Sequence, residues 1–533
     1  MNLRVFVAAA LIGALSLPFA AEERINSDLN SRIREEGMQQ SQLMRTLHFL
    51  TDVYGPRLTG SPSLKAAGEW VVKTMEGWGM KNARLEPWDF GHPGWTNDLA
   101  WGAITSPVKD SLVLEVLAWT PGTKGIVHGK AVNIVIPEQP TADELTAYLG
   151  TVKSKVRGAI VMVGKPRVVP VNITPAPKRN TDEDVKARYD PNNPNAGQRG
   201  RGRGRGQQEP RPGALPAREL AQQIDQFLVD NGALVRVNDA GREHGQIIAF
   251  DNRTYDITKA VPTVVVRNED YGRIARILDD GVPVELEFNI VNRTYPEGRT
   301  AYNTIGEIPG TDKKDEVVML GGHLDSWHSA TGATDNAIGC SIMLEAVRIL
   351  MKLGVQPRRT IRVALWSGEE EGILGSQAYV KEHFGSFEAP KPEYNKLVAY
   401  LNIDTGTGQL RGASVFGPAP AAATLREILA PFQDLGIYGA STSSSRVVAG
   451  TDSTAFNNAG LPGISFQQDP IEYNTHTHHT SLDTYERVIE ADVKKAAVIV
   501  ASTIYHLSMR EEMLARFTAA EMPAPPAPRV SGQ

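Results

Sequence analysis

The stretch Val317 to Gly339, VVMLGGHLDSWHSATGATDNAIG, sets His323, Asp325 and Asp335 where an apolar run passes into a loop and then into a helical pattern. Imidazole nitrogen and carboxylate oxygen are ordinary donors to a divalent metal. Asp325, two residues past His323, is placed to accept the other ring N–H and so fix the tautomer of a metal-bound imidazole. Alone, the stretch reads equally as an exposed loop histidine followed by an aspartate that caps a helix. Three further stretches break the tie. SGEEEGILGS carries the adjacent pair Glu369 and Glu370, which point in different directions, so that one can bind a metal while its neighbour accepts a proton from water. LVAYLNI leads straight into Asp404, and NTHTHHTSLDT offers His476, His478 and His479, with Asp483 four residues after the last. An acidic triplet by itself is a solvated turn, and a histidine cluster by itself a surface feature. Donors repeated at the ends of separate apolar runs require another explanation.

Those runs are the positioning elements. Val317 to Leu320, Arg362 to Trp366 and Leu397 to Ile403 are short and apolar throughout, the pattern of strands buried on both faces, and the residues from Ala337 have helical apolar spacing. This predicts an α/β fold with a mixed, mostly parallel central sheet flanked by helices. The donors then fall at the C-terminal edge of the strands, where open α/β sheets bind ligands.

The ordered set HLDSW, TDNAIG, SGEEEGILGS, NID and HHTSLDT resembles the M28 zinc peptidases, the co-catalytic two-zinc group that includes bacterial aminopeptidases and plasma glutamate carboxypeptidases. The resemblance implies two zinc ions per chain. His323 and Asp404 would hold one, Glu370 and His479 the other, and Asp335 would bridge both, with Glu369 as general base. It implies also a cis peptide between Asp335 and Asn336. Some relatives place a tyrosine immediately before the last histidine ligand to steady the oxyanion; here that residue is His478, which leaves His478 and Tyr473 as alternatives for the role.

The chain in order supplies the rest. Residues 1–21 (MNLRVFVAAALIGALSLPFAA) have the pattern of a secretory signal peptide, so the mature protein is expected to be secreted or periplasmic, with no stable membrane insertion. Residues 22–118 are expected to open the catalytic domain. There Ser61 is expected to cap a helix, and Arg57 and Thr59 in TDVYGPRLTGSP read as parts of a structural turn. Residues 119–281 carry short strand candidates around one helix and are expected to form an inserted domain, mainly β or α+β, which resembles a protease-associated domain. Within it, the Gly- and Arg-rich tract 181–212 is expected to be a flexible loop. Residues 282–516 complete the catalytic domain, with Val284 to Val291 as a strand resuming it; the resemblance places Asp452 near substrate, and turn or cap chemistry explains that residue equally well. Residues 517–533, rich in Pro and Ala, read as a disordered tail. Cys340, the only cysteine, excludes an intrachain disulfide and reads as a packed core thiol.

The formal net charge of -5 argues against general nucleic-acid affinity. The resulting expectation is a two-zinc exopeptidase acting on small peptides, as an aminopeptidase or dipeptidase. The alternatives are a carboxypeptidase of the same fold, then a glutaminyl cyclase or a receptor-like protein that does no chemistry. The full ligand set with Glu369 favours hydrolysis over the last two, and the absence of G-x-S-x-G and H-E-x-x-H disfavours serine and thermolysin-like hydrolases. Oligomeric state is left open, a homodimer among the options.

Overall fold

The computed structural model describes residues 25–193, 211–447 and 450–525. The expected signal peptide lies outside them. Two eight-stranded sheets organise the described chain. The first runs in the order Lys81–Asp89, Thr300–Ile308, Arg359–Trp366, Lys313–His323, Leu397–Asn402, Gly463–Gln468, Leu410–Phe416 and Ala440–Ser443. Four of its seven strand pairings are parallel, in agreement with the mixed, mostly parallel expectation.

Alternation explains why its central strands are apolar without interruption. Val318 and Leu320 face one core with Ile361, Val363 and Leu365, while Val317 and Met319 face another with Ala364 and Trp366. The first core is covered by helices Pro62–Gly77, Ile338–Lys352 and Glu490–Met509, the second by Leu374–His383 and Ser453–Asn458. Ser61 caps the first of these helices, accepting the Leu64 N–H at 3.2 Å. Among the described residues no helix is long and apolar enough to cross a membrane.

The second sheet runs Asp110–Ser111, Gly94–Ser106, Glu285–Tyr295, Val127–Ile134, Ile160–Val163, Val235–Asp239, Thr263–Val266 and Leu114–Val116. It therefore includes strands on both sides of 119–281. Gly94–Ser106 and Glu285–Tyr295, expected in the catalytic part, pair with each other along most of their length in this sheet. Both have a half-exposed, two-faced pattern. Such a pattern identifies a strand and leaves its partner unspecified.

Two other segments differ from expectation. The tract 181–212 begins with a helix, Asp182–Tyr189, capped by Thr181 and pinned through buried Val185 and Tyr189; residues 194–210 lie outside the described chain. The start of the tail is also packed: Phe517 meets Phe416 edge to face at 5.2 Å. In each case an apolar residue in a polar or Pro-rich stretch found a surface that composition alone could not reveal.

Candidate active site

The strand ends of the first sheet converge as the sequence predicts. His323 is the last residue of Lys313–His323, Glu369 and Glu370 follow Arg359–Trp366, and Asp404 follows Leu397–Asn402. Asp335 sits in the turn Ala333–Ala337, which feeds helix Ile338–Lys352, and the Asp335–Asn336 peptide is cis. His479 comes from the loop after the turn Tyr473–Thr477. Its backbone is in the left-handed region, φ 61°, which is costly for a residue with a Cβ and typical of groups held for function.

His323 Nε2 lies 3.3 Å from both Asp335 Oδ1 and Asp404 Oδ1. His479 Nε2 lies 3.3 Å from Asp335 Oδ2 and 3.0 Å from Glu370 Oε2. Two donors each about 2.0–2.1 Å from a tetrahedral ion stand about 3.3 Å apart, so these separations fit atoms arranged around a shared cation. Asp335 contributes one oxygen to each group. His478 stands further off, with Nε2 3.8 Å from Asp335 Oδ2, and its ring lies against that of His479 with centroids 3.8 Å apart and planes tilted by 31°. Its Nε2 also belongs to a compact donor group with Asp335 and His479. Glu370 at 3.0 Å from His479 stands closer than His478 at 3.8 Å from Asp335, which favours Glu370 as the third donor of that group.

The electrostatics demand positive charge here. Burial raises Glu369 well above the usual carboxylate range; Asp404, Asp452 and Glu370 push the same way and outweigh His323. Burial and then Asp335 do the same to Glu370. Burial depresses His323, yet Asp404, Glu369, Asp325 and Asp335 together hold it well above the ordinary imidazole value. Burial also opposes ionisation of Asp335, but His323 and His479 overcome it and keep that carboxylate below its usual range. A buried pocket with so many carboxylates either keeps some of them protonated or holds cations among them.

The surrounding residues fix this geometry. The other nitrogen of His323, Nδ1, donates to the backbone carbonyl of Asp325 at 3.0 Å, while the Asp325 carboxylate is 3.7 Å away. Asp325 thus meets the imidazole through its main chain and not, as the sequence suggested, through its carboxylate. Its carboxylate instead accepts the Thr59 hydroxyl and the Glu370 N–H, each at 3.2 Å. Asp483, expected beside His479, accepts the backbone N–H groups of Thr334 at 2.6 Å and Asp335 at 3.1 Å. Asp452, expected near substrate, is fully buried beneath the site, and burial pushes its carboxyl up to about 7. Cys340 is a core thiol whose Sγ donates to the His323 carbonyl, and burial pushes it up to about 12.

Arg57 and Thr59 do more than shape a turn. The Arg57 guanidinium, fully buried, donates to the carbonyls of Leu50, Leu324, Thr331 and Gly332 at 2.6–3.0 Å, and so ties both ends of the loop between His323 and Asp335. Thr59 links Asp325 to the Gly368 N–H, which donates to its hydroxyl at 3.0 Å. The segment TDVYGPRLTGSP was visible, but nothing local tells an arginine that folds under a distant loop from one that faces water.

Above the donors lies a cleft of about 760 Å3, lined by Asp335, Glu369, Glu370, Asp404, Tyr473 and His479 among others. Tyr473 packs against His478 at 4.7 Å, and burial followed by the nearby carboxylates keeps its hydroxyl protonated. One wall is built by residues 178–189. The Ile471 N–H donates to the Lys178 carbonyl at 2.7 Å. Arg179 pairs with Asp469 and Asp492 at 3.2 and 2.8 Å, and Asp182 accepts from Arg411 and from the Tyr438 hydroxyl. Through these bonds the wall brings Asn180 and Arg188 to the cleft.

Residues 303–504 match peptidase family M28. The chain is 27% identical to carboxypeptidase Q of Rattus norvegicus over 484 residues, covering 90% of this chain and 88% of that protein, and 26% identical to the Homo sapiens protein over the same shares. Its fold is similar to the crystal structure of a peptidase M28 precursor from Shewanella amazonensis (TM-score 0.63, 22% identity, 93% of this chain and 100% of that one). It is similar also to a zinc aminopeptidase from Bacillus subtilis (TM-score 0.55, 17% identity, 90% and 97%). The order of the donors, their convergence at one sheet edge and the match over 303–504 agree: residues 303–504 form a peptidase family M28 domain, and the chain is a metallopeptidase.

Proposed function

We propose that the protein is a two-zinc exopeptidase that hydrolyses small peptides in the cleft above Asp335, and that it works outside the cytoplasm. The observation that carries this reading is Asp335 itself, whose two oxygens each stand 3.3 Å from a different histidine Nε2. His323, Asp335 and Asp404 would hold one ion and Asp335, Glu370 and His479 the other, a nitrogen and oxygen donor set that suits zinc. Zinc there would supply Lewis-acid activation of water and of the scissile carbonyl.

The chain's own residues carry the proton. Glu369 lines the cleft, is not needed as a donor, and has a raised carboxyl, so it accepts the proton of the attacking water and returns it to the leaving amine. Tyr473, with its hydroxyl held protonated in the same cleft, donates to the developing oxyanion. In this reading residues 119–281 are the inserted protease-associated unit, with flanking strands joined to it in the second sheet, and segment 178–189 narrows the cleft. The metal core alone serves hydrolysis from either end of a peptide, and the relatives named above include a carboxypeptidase and an aminopeptidase.

The test is zinc content together with cleavage. Purified protein is expected to hold two zinc ions and to lose hydrolysis on chelation. Glu369→Gln is expected to keep the zinc and lose about 100- to 10,000-fold in kcat. Full activity in that variant, or one zinc per chain in active wild-type protein, would overturn the assignment.

A further inference from the structure

Every carboxylate among the described residues lining the cleft, namely Asp335, Glu369, Glu370 and Asp404, belongs to the metal and base set. None is left over to receive a substrate's α-ammonium. The one side chain of permanent positive charge among these lining residues is Arg188. Its guanidinium forms no hydrogen bond or ion pair with any described residue and is partly exposed. The other cations of the wall have partners: Lys178 pairs with Glu472 at 2.6 Å, Arg179 with Asp469 and Asp492, and Lys186 lies over the Tyr438 ring at 4.9 Å; Arg411, on the adjoining strand, pairs with Asp182.

The backbone that carries Arg188 is nonetheless fixed. Val185 and Tyr189 on either side of it are buried, and the Tyr189 ring lies so close to Gly412 that a Cβ there would come within 2.2 Å of it. Asn180, at the other end of the wall segment, is held by Asp469, which accepts its backbone N–H at 2.9 Å. A well-placed cation with no structural partner, facing a cavity whose acids are all occupied, is arranged for an anion from outside. The planar guanidinium fork matches a carboxylate in two-point contact.

We infer that Arg188 binds the terminal carboxylate of the peptide substrate, so that the enzyme selects the carboxyl end and removes residues from it or splits dipeptides. This rests on the hydrolytic reading above and deepens it by naming the end recognised. The amine end needs no counter-charge in this cleft, and peptides blocked there are accepted. Arg188 acts in specificity: it anchors the substrate, and the proton transfers proceed without it.

The test compares kcat/KM on tripeptides presented as free acids, as carboxyl-terminal amides and as N-acetylated acids, using zinc-loaded wild-type enzyme, Arg188→Gln and Arg188→Lys. Wild type is expected to favour free acid over amide and to tolerate acetylation. In Arg188→Gln the acid-to-amide ratio is expected to fall about 10- to 100-fold, chiefly through KM, the range expected when a charge-assisted pair is lost. Arg188→Lys, which keeps the charge and loses the fork, is expected between the two. A purely structural role would lower acid and amide alike. An unchanged ratio in Arg188→Gln, or a wild-type enzyme that requires a free amine and ignores the carboxyl end, would overturn the inference while leaving hydrolysis intact. Zinc-loaded wild-type enzyme that cleaves none of the peptides would overturn the hydrolytic reading itself, and this inference with it.

Discussion

Asp483 accepts the backbone N–H of Asp335 at 3.1 Å, and its other oxygen accepts that of Thr334 at 2.6 Å, so one buried carboxylate sets the main chain at the residue whose two oxygens face both histidines. Burial and the nearby Asp335 charge push the Asp483 carboxyl up to about 7, against the pull of those N–H groups. Asp483→Ala removes both acceptors. Zinc affinity is expected to fall about 10- to 100-fold, the usual effect of losing a partner that orients a metal ligand. Competition with a chelator would measure it, and an affinity equal to wild type would show that the turn holds Asp335 unaided.

Arg57→Met removes the donor shared by four carbonyls, three of them buried. Leaving such acceptors unpaired costs about 1–3 kcal/mol each where water cannot reach them, so a loss of several kcal/mol is expected in denaturant unfolding. Zinc content should fall with it, since the loop from Leu324 to Gly332 is no longer tied down. A variant as stable as wild type would mean that water replaces the guanidinium.

Tyr473→Phe keeps the ring against His478 and removes only the hydroxyl. If that hydroxyl stabilises the oxyanion, kcat is expected to fall about 100- to 1,000-fold with KM little changed. A wild-type kcat would pass the role to His478, the other candidate in the loop.

Acid should weaken the protein through His328. This imidazole is buried, its Nε2 donates to the Val116 carbonyl at 2.5 Å, and burial lowers its pKa to about 4. The unfolded chain, with an ordinary imidazole near 6.5, therefore binds a proton that the fold refuses between pH 6.5 and 4. Stability from this residue is complete above pH 6.5 and declines as pH falls, by about 3 kcal/mol at pH 4. His328→Gln keeps a donor for Val116 and cannot titrate. Unfolding measured across this range should show a shallower decline in the variant, and identical slopes would exonerate His328.

How far the sequence could be read depended on whether the deciding interactions were local. Val317 to Leu320 and Leu397 to Ile403 announced buried strands because both of their faces need apolar cover, and that need is written in consecutive residues. The positions of His323 and Asp404 just past the ends of such strands followed from the same apolar runs, while their role as donors came from the resemblance. Glu285–Tyr295 was legible as a strand but not as a member of the second sheet, since its partner Gly94–Ser106 lies far away in the chain. Arg57 and Arg188 were opaque for the same reason. One is buried beneath a loop that begins 267 residues later, and the other reaches a cleft built by distant strands. The choice between carbonyl and carboxylate at Asp325 is a matter of less than an ångström, finer than any spacing rule.

The wall formed by residues 178–189 stands apart in the chain from the loops that hold the metal donors, and it is fastened to the catalytic sheet by side chains of its own. Lys178 of this wall also holds Ile471 and Glu472, in the loop that leads to His479, so the wall and that histidine are tied to each other. On the proposed reading, an exchange of the wall that changes the choice of peptide has to keep those two contacts if it is to leave the hydrolytic centre in place.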